Sequence, residues 1–488
     1  MNLSSPAQDR RPYILAAGVI LLCAGLRVHL AGMPLERDEG EYAYVAQRLL
    51  VGVPPFADTF TLKFPGIYVI YALILKWFGQ TDTTIREVLI LTNAASCAFL
   101  FGIVRKISSD RAAIWSAAAY AVLTLNSAVL GMTANAEHFI LFFVLAGIFL
   151  LTHSTKLPWS FAGGLCFGLA VTMKQQGFFF LFLGAAWILF RARNAKSLVI
   201  YGLSALIPIG IMLFWMRKAG VWDSFIFWCF TYPRHYGSAW SASERLYFFL
   251  SQGGRLAAHF FTLLLAACAG GVIAWKKERE AGALILFALL CGAVAVTPGW
   301  IFRSHYFLFL MPGLAIAAGL ALARVPAISL VALIVAAPLG WDHALYSATP
   351  KDAVRQLYPD NAFSETRELG LWLQRRLKPN ETLAVLGSEP EIYFYAQHPG
   401  VIPYVYTYPL VENQPYAEGM QRHLMALLEK QPPDFIIHAR IPKSWLVQRG
   451  APTHLLEWIP TYLESHYIAE RVIETGADRN IILYRRRQ

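Results

Sequence analysis

Eleven apolar stretches separated by short basic clusters divide most of the first 342 residues, a pattern that calls for a membrane rather than an aqueous core. A spanning helix needs roughly 20 mostly apolar residues. The candidates fall at residues 13–33, 85–104, 112–131, 137–153, 158–173, 177–190, 197–215, 256–275, 281–297, 305–323 and 325–342. Composition agrees: 56% of the chain is hydrophobic and 15% charged, against about 25% charged in an ordinary soluble domain. The run from Tyr13 reads as an uncleaved first span, because no small-residue cleavage site follows it.

The loops give the orientation. Arg10 and Arg11, then Arg105, Lys106 and Arg111, then Lys156, then Arg191, Arg193 and Lys196, then Lys276, Lys277 and Arg279, then Arg324, share one side if eleven spans alternate. The positive-inside rule makes that side the cytoplasm. The other side receives the loop 34–84, the aromatic segment 216–255, residues 298–304 and everything after 342; Arg217 and Lys218 depart from the rule. The apolar run at 65–78 is too short to span, and counting it would invert every later loop. It is expected to lie as a helix at the outer interface. The net charge of +11 sits largely in the loop clusters, which excludes a nucleic-acid-binding role. Cys23, Cys97, Cys166, Cys229, Cys268 and Cys291 lie in apolar or aromatic surroundings without a CxxC pair, so they read as small buried hydrophobes.

After Trp341 the composition turns soluble. Helical patterns at 363–377, 418–430 and 455–467 alternate with strand patterns at 382–387, 434–438 and 480–485, and Ser364 reads as an N-cap. The expected organisation is an all-α polytopic membrane domain over 1–342, with its first external loop at 34–84, followed by a small soluble α/β domain over 343–488. No phosphate-binding glycine loop and no internal repeat is visible.

The densest charge lies just past the first span, where Glu36, Asp38, Glu39 and Glu41 surround Arg37 and Lys63 follows. Carboxylates at a membrane edge are costly unless something uses them. Group transfer from a phosphate donor uses a carboxylate to take the proton of the incoming hydroxyl, and cations to hold the departing phosphate. Asp38 and Glu39 are candidates for the first task, with Glu137 supporting from the outer end of the fourth span. Lys63, Lys174, Arg234, Arg303 and His305 are candidates for the second. Spacing alone leaves a plainer alternative open. The acidic cluster also suits the positive end of a helix dipole, Asn135 with Glu137 also suits a helix cap, and each cation also suits a snorkelling side chain.

Three segments carry a family resemblance: ERDEGEYAYVAQRLL at 36–50, TLKFPGIYVIYALILKWFG at 61–79 and TTIREVLILTNAASCAFLFGIVRKI at 83–107. With GLAVTMKQQG at 168–177 and SHYFLFLMPGLAIAAGLAL at 304–322, they resemble the GT-C glycosyltransferases of the dolichyl-phosphate-mannose-protein mannosyltransferase-like group, including its lipid A aminoarabinose transferase-like bacterial relatives. Asp38 and Glu39 match the acidic pair of that group's first external loop, and Glu137 its second acidic position. Lys63 lies in LKFPG, where Phe64 replaces the first proline of the group's motif. The resemblance implies a GT-C fold and sugar transfer, with inversion, from a polyprenyl-phosphate donor. The acceptor is then a protein, lipid A or lipopolysaccharide, or a wall glycan. It implies a multi-pass protein of a bacterial inner membrane, with the N-terminus cytoplasmic and the tail periplasmic. No organic cofactor is implied, and the acidic cluster permits a divalent cation without requiring one. The alternative is a transporter or flippase of lipid-linked sugars, which predicts inverted repeats.

Overall fold

The computed structural model describes residues 10–235, 240–476 and 479–487. Among them, eight helices are long and apolar enough to cross a membrane: Arg11–His29, Asp82–Ile107, Ala136–His153, Gln175–Ala192, Ala195–Lys218, Arg279–Val296, Ser304–Leu322 and Ile328–Tyr346. Ala242–His259 and Phe261–Lys277 add a ninth if taken as one span, although they meet at 91°. The protein is therefore a largely helical, multi-pass membrane protein with a small C-terminal sheet.

Every expected span falls on a helix, but three differ in form. The segment 158–173 is the 17-residue helix Leu157–Met173. The segment 256–275 lies on the second arm of the bent pair. The segment 112–131 shortens to Asp110–Leu123, because the chain turns sharply after Thr124. Arg27, buried in the first span, donates to the carbonyls of Thr124 and Gly131, both at 2.6 Å, and so satisfies the groups that this turn exposes. Asp342 accepts from the backbone N–H of Ser127 at 2.8 Å and fixes the far side of the same turn.

Contacts divide the chain into two compact units. One comprises 1–30, 86–210 and 246–347, and holds most of the apolar helices. The other comprises 31–85, 211–245 and 348–488. This division differs from the expected one at 342, because residues 31–85 group with the tail.

In the second unit, helix Arg37–Leu50 packs on helix Pro65–Phe78, and at about 1.5 Å per residue the 14 residues of the latter are too short to span. The tail forms one four-stranded sheet: β1 (Leu383–Leu386), β2 (Phe435–Arg440), β3 (Tyr467–Gly476) and β4 (Arg479–Arg486), in the order β1-β2-β4-β3. β1 and β2 are parallel; β4 runs antiparallel to both β2 and β3. β3 is absent from the sequence expectation for a physical reason. It is a mostly exposed edge strand, so it lacks the alternation of buried and exposed residues that betrays a strand. Ser364 does not cap its helix; residue 362 occupies the cap position, and Ser364 is buried, with its hydroxyl 3.4 Å from the Lys351 carbonyl.

The 211–245 segment covers the first loop with aromatic rings. Phe225 meets Phe56 edge-on at 5.4 Å, and Trp228 stacks on Phe60 at 5.0 Å. Phe60 also forms a parallel bridge with Tyr404, its N–H donating to the Pro403 carbonyl at 2.7 Å. That bridge brings the 400–408 loop of the tail to the loop that follows helix Arg37–Leu50.

Candidate active site

The acidic run at 36–41 separates into two jobs once it coils. Glu36 is the N-cap of helix Arg37–Leu50, and its side chain accepts from the Glu39 N–H while the Glu39 carboxylate accepts from the Glu36 N–H. This reciprocal capping box satisfies donors that a helix start leaves over. Burial, and then the charges of Asp38 and Glu39, push the Glu36 carboxyl well above its ordinary range, which lowers the negative charge gathered here. Glu39, expected beside Asp38 as a catalytic carboxylate, is thus fully buried and turned back into the cap.

The residue that does stand with Asp38 is Glu41, three positions on and so on the same helix face. Lys63 Nζ donates to Asp38 at 2.9 Å and to Glu41 at 2.6 Å. Its ammonium also lies over the rings of Tyr42 at 5.4 Å and Tyr406 at 5.1 Å. Burial alone would lower the Lys63 pKa; the charges of Asp38 and Glu41 outweigh it and hold the amine above its ordinary value. Glu41 has no exposed side-chain surface and accepts in addition from Tyr68 at 2.6 Å and from Tyr406. Asp38 keeps 23% of its side chain exposed and has the Tyr406 hydroxyl at 3.0 Å. Of the two carboxylates, Asp38 is the one that a reactant can reach.

The tail holds the start of this helix in place. Arg37 donates to the Ser388 carbonyl, to Asn361 at 3.1 Å and to Glu389 at 3.0 Å. Gly40 lies so close to Glu391 that a Cβ there would stand 2.6 Å from the Glu391 Cβ and 2.8 Å from its backbone nitrogen. The Tyr44 hydroxyl accepts from the Gly400 N–H at 2.8 Å.

A second cluster lies in the other unit. Lys174 occupies the extended break between helix Leu157–Met173 and the turn Gln175–Phe178. Gly177 lets that turn fold back, since a Cβ there would meet the Ala170 carbonyl oxygen at 2.3 Å. Lys174 Nζ donates to Glu137 at 2.7 Å, and His305 Nε2 lies 4.0 Å from the same carboxylate. Lys174 also sits 4.5 Å above the Tyr306 ring. Among the described residues, the second Glu137 oxygen is buried and has no hydrogen-bond partner, which leaves it open to a ligand hydroxyl. The capping alternative does not hold for Asn135, whose amide donates to Thr133 and makes no cap bond.

Arg303 is half-buried two residues before His305. Arg234 stands exposed on the turn Tyr232–Arg234 of the other unit, and among the described residues it makes no hydrogen bond to the Asp38 cluster. No group of three or more His, Cys, Asp or Glu side chains in metal-binding geometry occurs among the described residues. The residues that sequence reasoning left out of the site are Glu41, Tyr68 and Tyr406. The three-residue spacing from Asp38 carried a signal for Glu41; nothing local carried one for Tyr406, 368 positions from Asp38.

Comparison with known proteins bears on the fold that carries these residues. The dolichyl-phosphate-mannose-protein mannosyltransferase family matches residues 63–215. No curated protein sequence matches the chain at a significant level. Among solved structures, ArnT from Cupriavidus metallidurans bound to undecaprenyl phosphate is similar over 98% of each chain, with a TM-score of 0.59 at 13% identity. The fold is that of the GT-C glycosyltransferases. Two other GT-C structures agree. Archaeal oligosaccharyltransferase AglB from Archaeoglobus fulgidus, in complex with an inhibitory peptide and a dolichol-phosphate, matches with a TM-score of 0.52 at 12% identity, over 88% of this chain and 70% of its own. Arabinofuranosyltransferase AftD from Mycobacteria matches with a TM-score of 0.54 at 14% identity, over 99% of this chain and 42% of its own. The family match agrees with the GT-C fold in the class of enzyme, a glycosyltransferase.

Proposed function

We propose that this chain transfers a sugar from a polyprenyl-phosphate donor to an acceptor on the outer face of a bacterial inner membrane, with Asp38 as the general base. The observation that carries this reading is the ammonium of Lys63, held between a buried Glu41 and an accessible Asp38 on the first external loop. The solved GT-C structures holding undecaprenyl phosphate or a dolichol-phosphate support a donor of that kind. The basic loops support an N-terminus in the cytoplasm and a tail in the periplasm.

The chemistry is one displacement. The acceptor hydroxyl oxygen attacks the anomeric carbon, its proton passes to the Asp38 carboxylate, and the bond from that carbon to the phosphate oxygen breaks. The lipid phosphate leaves as an anion, and a single displacement inverts the anomeric centre. Lys63 meets the phosphate charge, and Lys174, with the His305 imidazole nearby, forms a second basic group beside Glu137.

The test is purified protein mixed with undecaprenyl-phosphate mannose, undecaprenyl-phosphate aminoarabinose and related donors, each together with lipid A, a wall glycan or a protein as acceptor. A glycosyltransferase releases undecaprenyl phosphate; a carrier leaves the donor intact. Asp38→Asn is expected to slow release roughly 10²- to 10⁴-fold, the range for loss of a general base, in a protein that still folds and inserts. Full activity in that variant overturns the assignment.

A further inference from the structure

We infer that Tyr406 is a positioning residue for Asp38, supplied to the first-loop site by the C-terminal part of the chain. This rests on the reading of Asp38 as the base and extends it to a residue from the other end of the chain.

The tyrosine is built in from several sides. The bridge between Phe60 and Tyr404 anchors its loop two residues upstream. Two residues downstream, the Tyr408 ring lies 5.7 Å from the Tyr406 ring, at an interplanar angle of 18°. The next backbone N–H, of Thr407, donates to the Ser388 hydroxyl at 3.0 Å. Its ring packs under the Lys63 ammonium, and its hydroxyl lies between the two carboxylates. Burial, and then the charges of Glu41 and Asp38, hold the phenol well above its ordinary pKa, so it remains a donor.

The two carboxylates then have different work. Glu41, with donors from Lys63 and Tyr68, anchors the cluster, so the single Tyr406 proton, within reach of both carboxylates, can turn to Asp38. Asp38 is the outward member. When a donor phosphate draws the Lys63 ammonium toward itself, Asp38 loses one of its charge-assisted bonds, and Tyr406 keeps its carboxylate oriented. A hydrogen bond to the charged form of a carboxylate favours ionisation, so this hydroxyl also sets the pH at which the base becomes active.

The experiment compares wild type, Tyr406→Phe and Tyr462→Phe in the purified full-length protein. The Tyr462 hydroxyl donates at 2.8 Å to the backbone carbonyl of Leu428 and has no carboxylate in that bond, so its loss reports the cost of a tail hydroxyl alone. For Tyr406→Phe, the acid limb of donor turnover is expected to move to higher pH. kcat should fall roughly 10- to 100-fold, as for a lost hydrogen bond to a charged group, with the donor KM little changed. The melting temperature should fall at neutral pH and converge with wild type in acid, where the carboxylates are protonated. Tyr462→Phe should show a melting loss without that pH dependence and an unmoved acid limb. If Tyr406→Phe does not fold, 3-fluorotyrosine at 406 keeps the shape, donates more strongly and should move the limb to lower pH. An acid limb and a melting difference that ignore pH overturn the inference while leaving Asp38→Asn to judge the base. If the wild type consumes no donor, the transfer reading fails, and the melting comparison alone decides the hydrogen bond.

Discussion

Six residues from Glu36 to Glu41 hold four carboxyl groups, and their fates differ by one helical turn. Glu36 and Glu39 close the cap; Asp38 and Glu41 take Lys63. Sequence reading singled out this run, because charges this dense beside an apolar span are costly. It could not sort them, because Asp38 and Glu39 are neighbours in the chain but point to different partners once the helix forms. Glu137, Lys174 and His305 were each legible as a charged or titratable group near a span end, and their convergence is a tertiary fact. The buried acid at 391 gives a prediction of its own. Burial first, then Glu389, push its carboxyl up to about 8, with Arg37 opposing. The folded protein therefore keeps a proton that the unfolded chain releases near pH 4.5. This contribution to stability is whole below that value, is lost as pH rises through about 8, and is flat beyond. Glu391→Gln keeps an oxygen for the Thr366 hydroxyl and removes the titration. Its melting temperature should exceed that of wild type at pH above 8 and show a shallower fall between pH 5 and 8, as read by thermal melting in detergent.

Among the elements, helix Arg37–Leu50 shows how a motif acquires a reason. The glycine between Glu39 and Glu41 is needed because the N-terminus of helix Glu391–Ala396 rests on it. Gly40→Ala forces the two helices apart and should destabilise the protein by about 1–3 kcal/mol, the usual cost of overpacking. The loss of transfer should track that displacement, and melting together with a donor-release assay checks both; a variant with unchanged melting and turnover would remove the contact from the account. Helices were readable from apolar period and length, as the match of Pro65–Phe78 with the short apolar run at 65–78 illustrates. The right-angle bend at Phe260 was not, since an apolar run continues through it with no proline or glycine to mark the break.

For the whole molecule, a membrane part followed by a soluble part is how the sequence reads, and composition supports it. Packing divides the chain otherwise, because loop 31–85 and the tail share one folded unit. A chain ended after residue 347 should therefore lose more than an appendage. Leu35, Arg37 and Tyr44 would lose their partners at Tyr395, Glu389 and Gly400. Residues 31–85 are expected to become sensitive to limited proteolysis and donor release to cease. A truncated protein that still turns over donor would show the tail to be dispensable.

The bare backbone at Gly40 also bears on engineering. Grafting a tail from a distant relative onto this membrane scaffold would bring a foreign surface against a seam with no slack for an added methyl group. Productive hybrids should come from exchanging the opening loop and the tail together, as a matched pair.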